Sequence, residues 1–425
     1  MDYSKHISEH SKARNPSTIR AFMPYMNHKS IISLGAGQPN PATFPYASMT
    51  ITLKTGEKIE MDDQLFSRSL SYDLTSGQPL LNDWLRELQK IEHNPPVDFD
   101  LSIGAGSQDL LTKAFEMLTN PGESILVEDP TYTGALGFLD NLECDLAPID
   151  TDENGILPES LEKMLANWPE SNPNGKKDQP RPHVLYTVPT GGNPTGCSSV
   201  FERKRQVYDI CSKYDVVILE DDPYYYLQLD GERIRSYFSI DTDARVLRLD
   251  SMSKILSSGM RVGWVTGPAE LVDRINMHTM VTNLQPAGLP QGVMYQTLKT
   301  WGYKGFFEHV DRVADFYREK RDQFVKCLDH RMKGRATWIV PNAGMFVWIR
   351  LLGGISDSYD LVMNKTLKQN VLAIPGIAFM PKRNVNNYIR VSYSNVSYEQ
   401  MDEALRILAN IIDEEAASNG VKIEA

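Results

Sequence analysis

Short hydrophobic runs recur along the chain, and polar residues follow each of them. The runs are Ser124–Val127, Val184–Val188, Val216–Leu219, Val246–Leu249 and Arg261–Thr266. They are continuous rather than alternating, which is typical of strands covered on both faces. Helical stretches separate them, so the pattern predicts an α/β protein with a largely parallel sheet. Ligands bind beyond the carboxyl ends of such strands, and we therefore look there for the chemistry.

The last third of the chain has a different pattern. Met345–Leu352 and Tyr388–Tyr393 are strand-like, and helical stretches surround them. Ser397–Gln400 fits a capping box that opens a helix. The apolar residues of that helix follow helical spacing at Met401, Leu405, Leu408 and Ile412. The pattern predicts a smaller α+β domain at the C-terminal end, whereas the polar stretch 169–181 is expected to be a surface loop.

Composition narrows the class of protein. A chain of 425 residues is too long for one typical core, so two domains are expected. A net charge of −11 without a long basic block argues against nucleic acid as a partner. No apolar run approaches the roughly 20 residues that span a bilayer, so no membrane partner is expected.

The cysteines and the N-terminal residues bear on the compartment. Four cysteines without paired spacing are expected to be free thiols in a reducing compartment. The start lacks the apolar core of a secretion signal, and Asp2 and Glu9 disfavour a transit peptide. We expect a cytoplasmic protein, although Lys5, Lys12 and Arg14 keep a mitochondrial location open.

One lysine stands among phosphate-binding residue types. Ser251 and Ser253 flank Lys254, and Arg261 follows seven residues after the lysine. Hydroxyls and a guanidinium can hold a phosphate beside an amine nucleophile. Because a lysine amine forms a Schiff base with an aldehyde, the run points to pyridoxal 5′-phosphate (PLP), which carries both groups.

Other polar residues follow predicted strands. Gly104–Gln108 precedes a helical stretch, and its small residues would let an anion approach the helix N-terminus. Asp221 ends a strand where it could pair with a cationic ring nitrogen, and alternation separates it from Glu220 and Asp222. A surface acidic cluster is the alternative, and the aromatic residues Tyr224–Tyr226 could equally belong to the core.

Two further motifs stand out, one rich in Gly and Pro and one in His. Thr187–Gly196 ends a strand in two prolines, three glycines and the amide of Asn193, a density that an ordinary turn does not explain. His6–His10 matches the H-x-x-E-H zinc pattern. No third ligand stands out, so we expect no metal site there and a solvated polar segment instead.

Taken in order, these pieces resemble the fold-type-I PLP-dependent aminotransferases over nearly the whole chain. The opening residues narrow the resemblance to the branch of kynurenine/2-aminoadipate and fungal aromatic aminotransferases. The matching segments are Ala13–Arg20, Gly35–Pro41, Asn193–Gly196, Asp221–Tyr224, Ser251–Lys254 and Arg261.

The resemblance implies catalytic roles. Lys254 is similar to the Schiff-base lysine that later moves a proton between the substrate's Cα and the cofactor. Asp221 resembles the acid that pairs with the pyridinium nitrogen. Tyr224 and Asn193 resemble the donors to the ring's phenolic oxygen, and Tyr132 resembles the residue stacked on the ring.

It also implies binding roles. Tyr72 would reach the phosphate from a partner subunit, which makes the expected protein a homodimer. Arg390 resembles the arginine that binds the substrate's α-carboxylate bidentately, beside Asn193. The phosphate would be held by Ser107, Gln108, Ser251, Ser253 and Arg261, and the substrate pocket lined by Arg20, Gly37 and Phe346.

The implied protein has a large PLP-binding domain over residues 47–300. Residues 1–46 and 301–425 would form the small domain, with an N-terminal segment that covers the substrate. The implied reaction moves the amino group of an aromatic amino acid, kynurenine or 2-aminoadipate to 2-oxoglutarate by a ping-pong mechanism. Gln38 and Gly192 differ from the residues of the kynurenine enzymes and leave the donor open.

Two alternatives keep the same cofactor. A β-lyase of this fold would carry the same motifs, because one carbanion can partition several ways. A non-catalytic PLP-binding regulator would carry a DNA-binding domain ahead of the core. Only about 40 residues precede the matching core, fewer than such a module with its linker requires, and the acidic balance also disfavours this alternative.

Overall fold

The computed structural model describes residues 1–16, 22, 25, 30–32, 34–35 and 37–423. Its strands are β1 (Thr50–Thr52), β2 (Lys58–Glu60), β3 (Asp100–Gly104), β4 (Ser124–Asp129), β5 (Asp145–Asp152), β6 (Gly155–Ile156), β7 (Val184–Thr187), β8 (Val217–Asp221), β9 (Val246–Ser251), β10 (Gly263–Gly267), β11 (Ala336–Trp338), β12 (Phe346–Leu351), β13 (Ile374–Pro375) and β14 (Tyr388–Ser392).

The helices complete the α/β pattern. They are α1 (Glu9–Lys12), α2 (Asp63–Ser69), α3 (Pro79–His93), α4 (Ser107–Leu118), α5 (Thr133–Leu139), α6 (Pro158–Ala166), α7 (Phe201–Lys213), α8 (Ala269–Thr282), α9 (Gly288–Arg331, with a non-helical residue at Gly302), α10 (Ser358–Leu361) and α11 (Tyr398–Ser418). Short 3-10 helices lie at Tyr3–Lys5, Pro41–Thr43, Tyr225–Leu227, Phe238–Ile240, Ser258–Met260, Leu367–Gln369 and Gly376–Phe379, with a π-helical turn at Val362–Thr366.

The strands form a mixed, mostly parallel eight-stranded sheet, a four-stranded antiparallel sheet and the β1–β2 hairpin. The predicted fold class is therefore confirmed. Each of the hydrophobic runs predicted to be strands coincides with one: β4, β7, β8, β9 and β10. Strand β5, which lies between β4 and the edge strand β6, escaped prediction because its charged residues Asp145, Asp150 and Asp152 interrupt the apolar pattern.

Two compact units divide the chain. The first comprises Met1–Pro121, Val217–Pro223 and Tyr237–His309. Its strands lie in the order β3-β10-β9-β8, in which β9 and β8 are parallel and the other pairs antiparallel. Helix α4 packs against β3, β9 and β10, so its first turn starts beside the carboxyl end of β9.

The second unit comprises Gly122–Val216, Tyr224–Ser236 and Val310–Ala425. Its part of the large sheet has the order β7-β4-β5-β6, and the small sheet has the order β11-β12-β14-β13. The predicted capping box at Ser397 and Gln400 is confirmed, and the predicted apolar residues of α11 are buried. The predicted division into residues 47–300 and the remainder stays a prediction.

The N-terminal segment differs from the expected solvated one. Ser8 and Ser11 are buried: the Ser8 backbone N donates to Met117 O at 2.7 Å, and Ser11 Oγ lies 2.9 Å from His278 Nε2. His6 is also buried. The side chains of Ser8 and Ser11 therefore hydrogen-bond within the unit, whereas Glu9 and His10 are exposed as expected. Within residues 1–16 and the other described ranges, no group of three or more metal-ligating side chains occurs.

All four cysteines are free thiols, as predicted. Across the described ranges, none of the helices is both long and apolar enough to cross a bilayer.

A buried carboxylate joins β4 to the end of β7 in the second unit. Glu128 Oε1 accepts a hydrogen bond from Thr187 Oγ1 at 2.6 Å, and Oε2 accepts one from Val188 N at 3.2 Å. Burial raises the pKa of Glu128 to about 7, although both hydrogen bonds oppose that rise. Protonation at this position is therefore easier in the folded chain than in the unfolded one.

This raised pKa predicts a pH dependence of stability. Between the ordinary value of 4.5 and about 7, the unfolded chain loses the proton while the folded chain keeps it. The contribution of Glu128 is therefore complete below pH 4.5 and declines until about pH 7, by at most ~3 kcal/mol. Thermal unfolding of Glu128→Gln should depend less on pH across this window than unfolding of the wild type. The exposed Glu153→Gln serves as the control, and identical pH slopes for all three proteins would contradict the assignment.

Candidate active site

Lys254 lies in the first unit, in the turn that follows β9. Ser251 ends the strand, and its Oγ accepts a hydrogen bond from Ser253 N at 3.2 Å, which holds the turn. Burial, and after it the positive charge of Arg261, lowers the pKa of Lys254, while Asp221 acts in the opposite direction. A lowered pKa makes the neutral, nucleophilic amine more accessible near neutral pH.

Asp221 is the last residue of β8 and is buried. Its neighbours Glu220 and Asp222 both contact Arg248, at 3.2 and 2.9 Å. The alternation predicted from the sequence therefore holds. The alternative of a surface acidic cluster is wrong, because all three carboxylates are buried.

The start of α4 forms a cradle with Arg261. Gly106 precedes Ser107 at φ +92°, and no side chain of the described chain caps this helix start. Arg261 Nη2 donates to Ala105 O at 3.2 Å, and Nη1 donates to Ser253 Oγ at 3.3 Å. Ser107 and Gln108 occupy the first two helical positions. Backbone N–H groups, a hydroxyl and a guanidinium are suited to a phosphate.

In the second unit, Arg390 lies on β14 opposite Trp348 of β12. Its Nη1 donates to Asn193 Oδ1 at 2.9 Å. The guanidinium carbon stands 4.4 Å from the centre of the Phe346 ring and 5.0 Å from that of Phe379. The small sheet thus presents a guanidinium held by an amide and two aromatic faces, a geometry that favours Arg over Lys.

Two tyrosines lie near the guanidinium of Arg390. The ring of Tyr224 packs edge-on against Phe346, with centroids 6.0 Å apart. Tyr132 precedes α5 at its N-cap position. Burial lowers the pKa of Arg390, and the phenol groups of Tyr224 and Tyr132 oppose this effect, so both lie near enough to act on its charge. Core packing, which was one interpretation of Tyr224–Tyr226, is confirmed because all three are buried.

The other residues predicted to bind cofactor or substrate differ in their exposure and surroundings. Tyr72 is 51% exposed and lines an open cavity of about 450 Å³ together with Gln38. Gly37 is exposed, with no atom near the position of a Cβ. Gly192 lies beside Thr195, whose Oγ1 would stand 3.1 Å from a Cβ. Arg20 lies outside the described residues.

Phe379 was not singled out from the sequence. It is fully buried and belongs to a short 3-10 helix that follows β13. Nothing in its spacing distinguishes it from a core residue. Only the register of the small sheet, which pairs Ile374 with Arg390, indicates that the chain after β13 passes beside this arginine.

Residues 30–408 match the family model described as aminotransferase class I and II. The chain belongs to this family. Among its relatives, the mitochondrial kynurenine/alpha-aminoadipate aminotransferase of Bos taurus is 43% identical over 97% of this chain and 100% of that one.

Two solved structures of aminotransferases are also similar to this one. The aromatic aminotransferase Aro9 from C. albicans has a TM-score of 0.87 at 26% identity, over 100% of both chains. The kynurenine aminotransferase of Pyrococcus horikoshii has a TM-score of 0.76 at 29% identity, over 97% of this chain and 98% of that one. It was solved in complex with PMP, KYN as substrate and KYA as product.

The protein is therefore a PLP-dependent aminotransferase of the kynurenine, aminoadipate and aromatic branch. The predicted family, enzyme class and cofactor are confirmed. The residues of the first unit fit the cofactor, because Gly106 leaves its space to the Arg261 guanidinium at the open start of α4. Bound PLP supplies an electron sink for a carbanion at the substrate's Cα.

The cradle predicts that Gly106→Ala weakens cofactor binding. A Cβ there would clash with Arg261 Nη2 and displace the guanidinium from the start of α4. We expect PLP affinity to fall about tenfold or more, measured by titrating the apoenzyme and following cofactor absorbance. Gly56→Ala is the matched control, since Gly56 has a similar φ of +88° but open space around it. If both variants lost PLP affinity equally, backbone strain and not the cradle would explain the loss.

Proposed function

We propose that this enzyme takes the amino group of an aromatic amino acid, kynurenine or 2-aminoadipate and passes it to 2-oxoglutarate by a ping-pong mechanism. The names of its relatives support the donor classes: the bovine relative is named for kynurenine and alpha-aminoadipate, and the C. albicans structure is of an aromatic aminotransferase. The acceptor is proposed because an α-carboxylate site for the donor also suits a 2-oxo acid.

Arg390 carries this proposal. Its guanidinium is partly buried, and within the described ranges no carboxylate pairs with it. Its Nε is buried without an acceptor among the described residues. A desolvated cation without a counter-charge is costly unless a ligand supplies one. The α-carboxylate of an amino acid or of a 2-oxo acid would supply that charge, and two parallel N–H groups could bind it bidentately.

The amide of Asn193 would couple Arg390 to the cofactor. Because Oδ1 accepts from Arg390, the Nδ2 side of the amide is left to donate. We propose that Nδ2 and the Tyr224 hydroxyl donate to the cofactor's phenolic oxygen, and that Tyr132 stacks on its ring. The electrostatic influence of both tyrosines on Arg390 supports their place in one group.

Residues of the first unit would hold the cofactor and move protons. Lys254 Nζ would bond the cofactor and later carry a proton at the substrate's Cα, a task that its lowered pKa favours. Asp221 would keep the ring nitrogen protonated. The phosphate would lie against the start of α4 and residues of the turn after β9, namely Ser107, Gln108, Ser251, Ser253 and Arg261.

We also propose a homodimer, a side-chain pocket and a cellular compartment for this enzyme. Tyr72 would reach the phosphate of a partner subunit in a homodimer, and its exposure leaves it accessible to one. Arg20, Gly37 and Phe346 would line the side-chain pocket. A cytoplasmic location remains our proposal for the compartment, alongside the mitochondrial location that the bovine relative's name gives for that protein.

Substrate profiling tests the reaction. With 2-oxoglutarate as acceptor, we expect glutamate to form from at least one of the three donor classes. The Lys254→Ala variant is the blank, and it should lose turnover and the absorbance of the lysine-bound cofactor. Glutamate formation from none of the three classes would overturn the proposed donors or acceptor, and normal turnover by Lys254→Ala would overturn the assignment of the lysine.

Replacing Arg390 tests the carboxylate site. Arg390→Gln loses a charge-assisted bidentate contact of roughly 1.5–3 kcal/mol, so kcat/KM for the amino donor should fall about 10- to 100-fold. PLP affinity should change little. The control is Arg350→Gln, an exposed arginine on the neighbouring strand β12. Lost PLP binding with unchanged kcat/KM in the reconstituted enzyme would contradict the role of Arg390.

A further inference from the structure

A fully buried ionic cluster lies in the first unit next to Asp221. Arg248 contacts three carboxylates: Glu220 at 3.2 Å, Asp222 at 2.9 Å and Asp250 at 2.8 Å. Its side chain and those of Glu220 and Asp222 are 0% exposed, and that of Asp250 is 2% exposed. Arg248 also donates through Nε to Asp250, so these two residues form a bidentate pair.

The cluster crosses from β8 to β9. The two strands are parallel, with Glu220 beside Arg248 and Asp221 beside Leu249. Because side chains alternate between faces, Glu220 and Asp222 lie on one face with Arg248 and Asp250. Asp221 and Ser251 therefore lie on the other face. The ion pairs thus join the carboxyl ends of the two strands from behind the residues proposed to hold the cofactor.

A second set of contacts extends the cluster along the chain. Glu220 accepts hydrogen bonds from the backbone N–H groups of Tyr237 and Phe238, at 2.8 and 3.1 Å. The Asp222 backbone N donates to Leu249 O at 2.9 Å, which continues the strand pairing past Asp221. Asp221 is therefore held between two residues whose side chains and backbones are both fixed to neighbouring segments.

Such a cluster is a poor source of stability. Removing one guanidinium and three carboxylates from water costs free energy that their attraction only partly offsets. Burial raises the pKa of Asp250 to about 6, and Arg248 is the first group to oppose that rise. What the cluster provides is direction: Asp250 orients the planar guanidinium on β9, and Nη1 then reaches Glu220 and Asp222 of the neighbouring segment.

We propose that Arg248, together with Glu220, Asp222 and Asp250, is a positioning device that holds the Asp221 carboxylate in register with Ser251 and Lys254. Through that register it sets the protonation of the bound cofactor and the rate of proton transfer. The inference rests on the roles proposed above for Asp221 and Lys254. These residues act on the cofactor directly, whereas Arg248 acts through them.

The test compares two buried arginines of the same strand region. Arg248→Lys keeps the charge but loses the fork. Arg245→Lys makes the same change at the other end of β9, where the buried Arg245 pairs with Asp243 at 2.6 Å. Both holoenzymes are assayed for thermal midpoint, for kcat and KM, and for the apparent pKa of the bound cofactor from its absorbance.

For Arg248→Lys we expect the cofactor's apparent pKa to shift by about half a unit or more and kcat to fall about tenfold, with KM within about twofold. For Arg245→Lys we expect at most a lower thermal midpoint. A lowered midpoint in both variants, with wild-type spectra and kcat, would overturn the proposal and leave Arg248 a structural residue only.

Two further variants separate the possible failures. If Arg248→Lys yields no folded protein, Asp250→Asn is tested by the same readouts. It removes the negative charge of the Arg248–Asp250 pair and keeps the shape of the side chain. Asp221→Asn tests the proposed function itself. If Asp221→Asn leaves the cofactor's spectrum unchanged, the role of Asp221 fails. If Asp221→Asn changes it and the cluster variants do not, only the positioning role fails.

Discussion

β8 and β9 run parallel and in register, and the first unit's chemistry depends on that pairing. It places Asp221 at the end of one strand and Ser251, followed by Lys254, at the end of the other. Ordinary ladder hydrogen bonds fix strand spacing but weaken toward strand ends. Here ion pairs on the far face join Arg248 of β9 to Glu220 and Asp222, the residues on either side of Asp221. The roles proposed for Asp221 and Lys254 would need this precision, since small displacements of catalytic groups lower the reaction rate.

The second unit solves a different problem. In the role proposed for Arg390, its small antiparallel sheet would present a cation to a substrate carboxylate without letting a protein carboxylate pair with it first. Aromatic rings meet that requirement, because they attract the guanidinium by their faces and offer no negative oxygen. The Asn193 amide adds a neutral acceptor that orients one N–H group. The cation is thus held in position while its charge stays available to a ligand.

Much of this organisation was predictable from the sequence. Continuous apolar runs located the buried strands, and the alternation around Asp221 separated it from Glu220 and Asp222. The buried cluster was not predictable, because charges at Arg248 and Asp250 within a strand indicate exposure unless their partners on β8 are known. Phe379 was missed for a similar reason, since its contact with Arg390 follows from sheet register. The N-terminal serines were assigned to solvent because polarity alone does not distinguish water from a protein partner.

The bond between Arg390 and Asn193 has a consequence for discrimination. Because Nη1 already donates to a neutral amide while Nε has no acceptor among the described residues, the guanidinium can keep one partner and take another. A neutral amide or hydroxyl would bring no counter-charge to this desolvated cation and would gain little there. A carboxylate gains the difference between a charged and a neutral acceptor. A guanidinium held in this way would therefore favour ligands that carry a carboxylate over simple amines and amides.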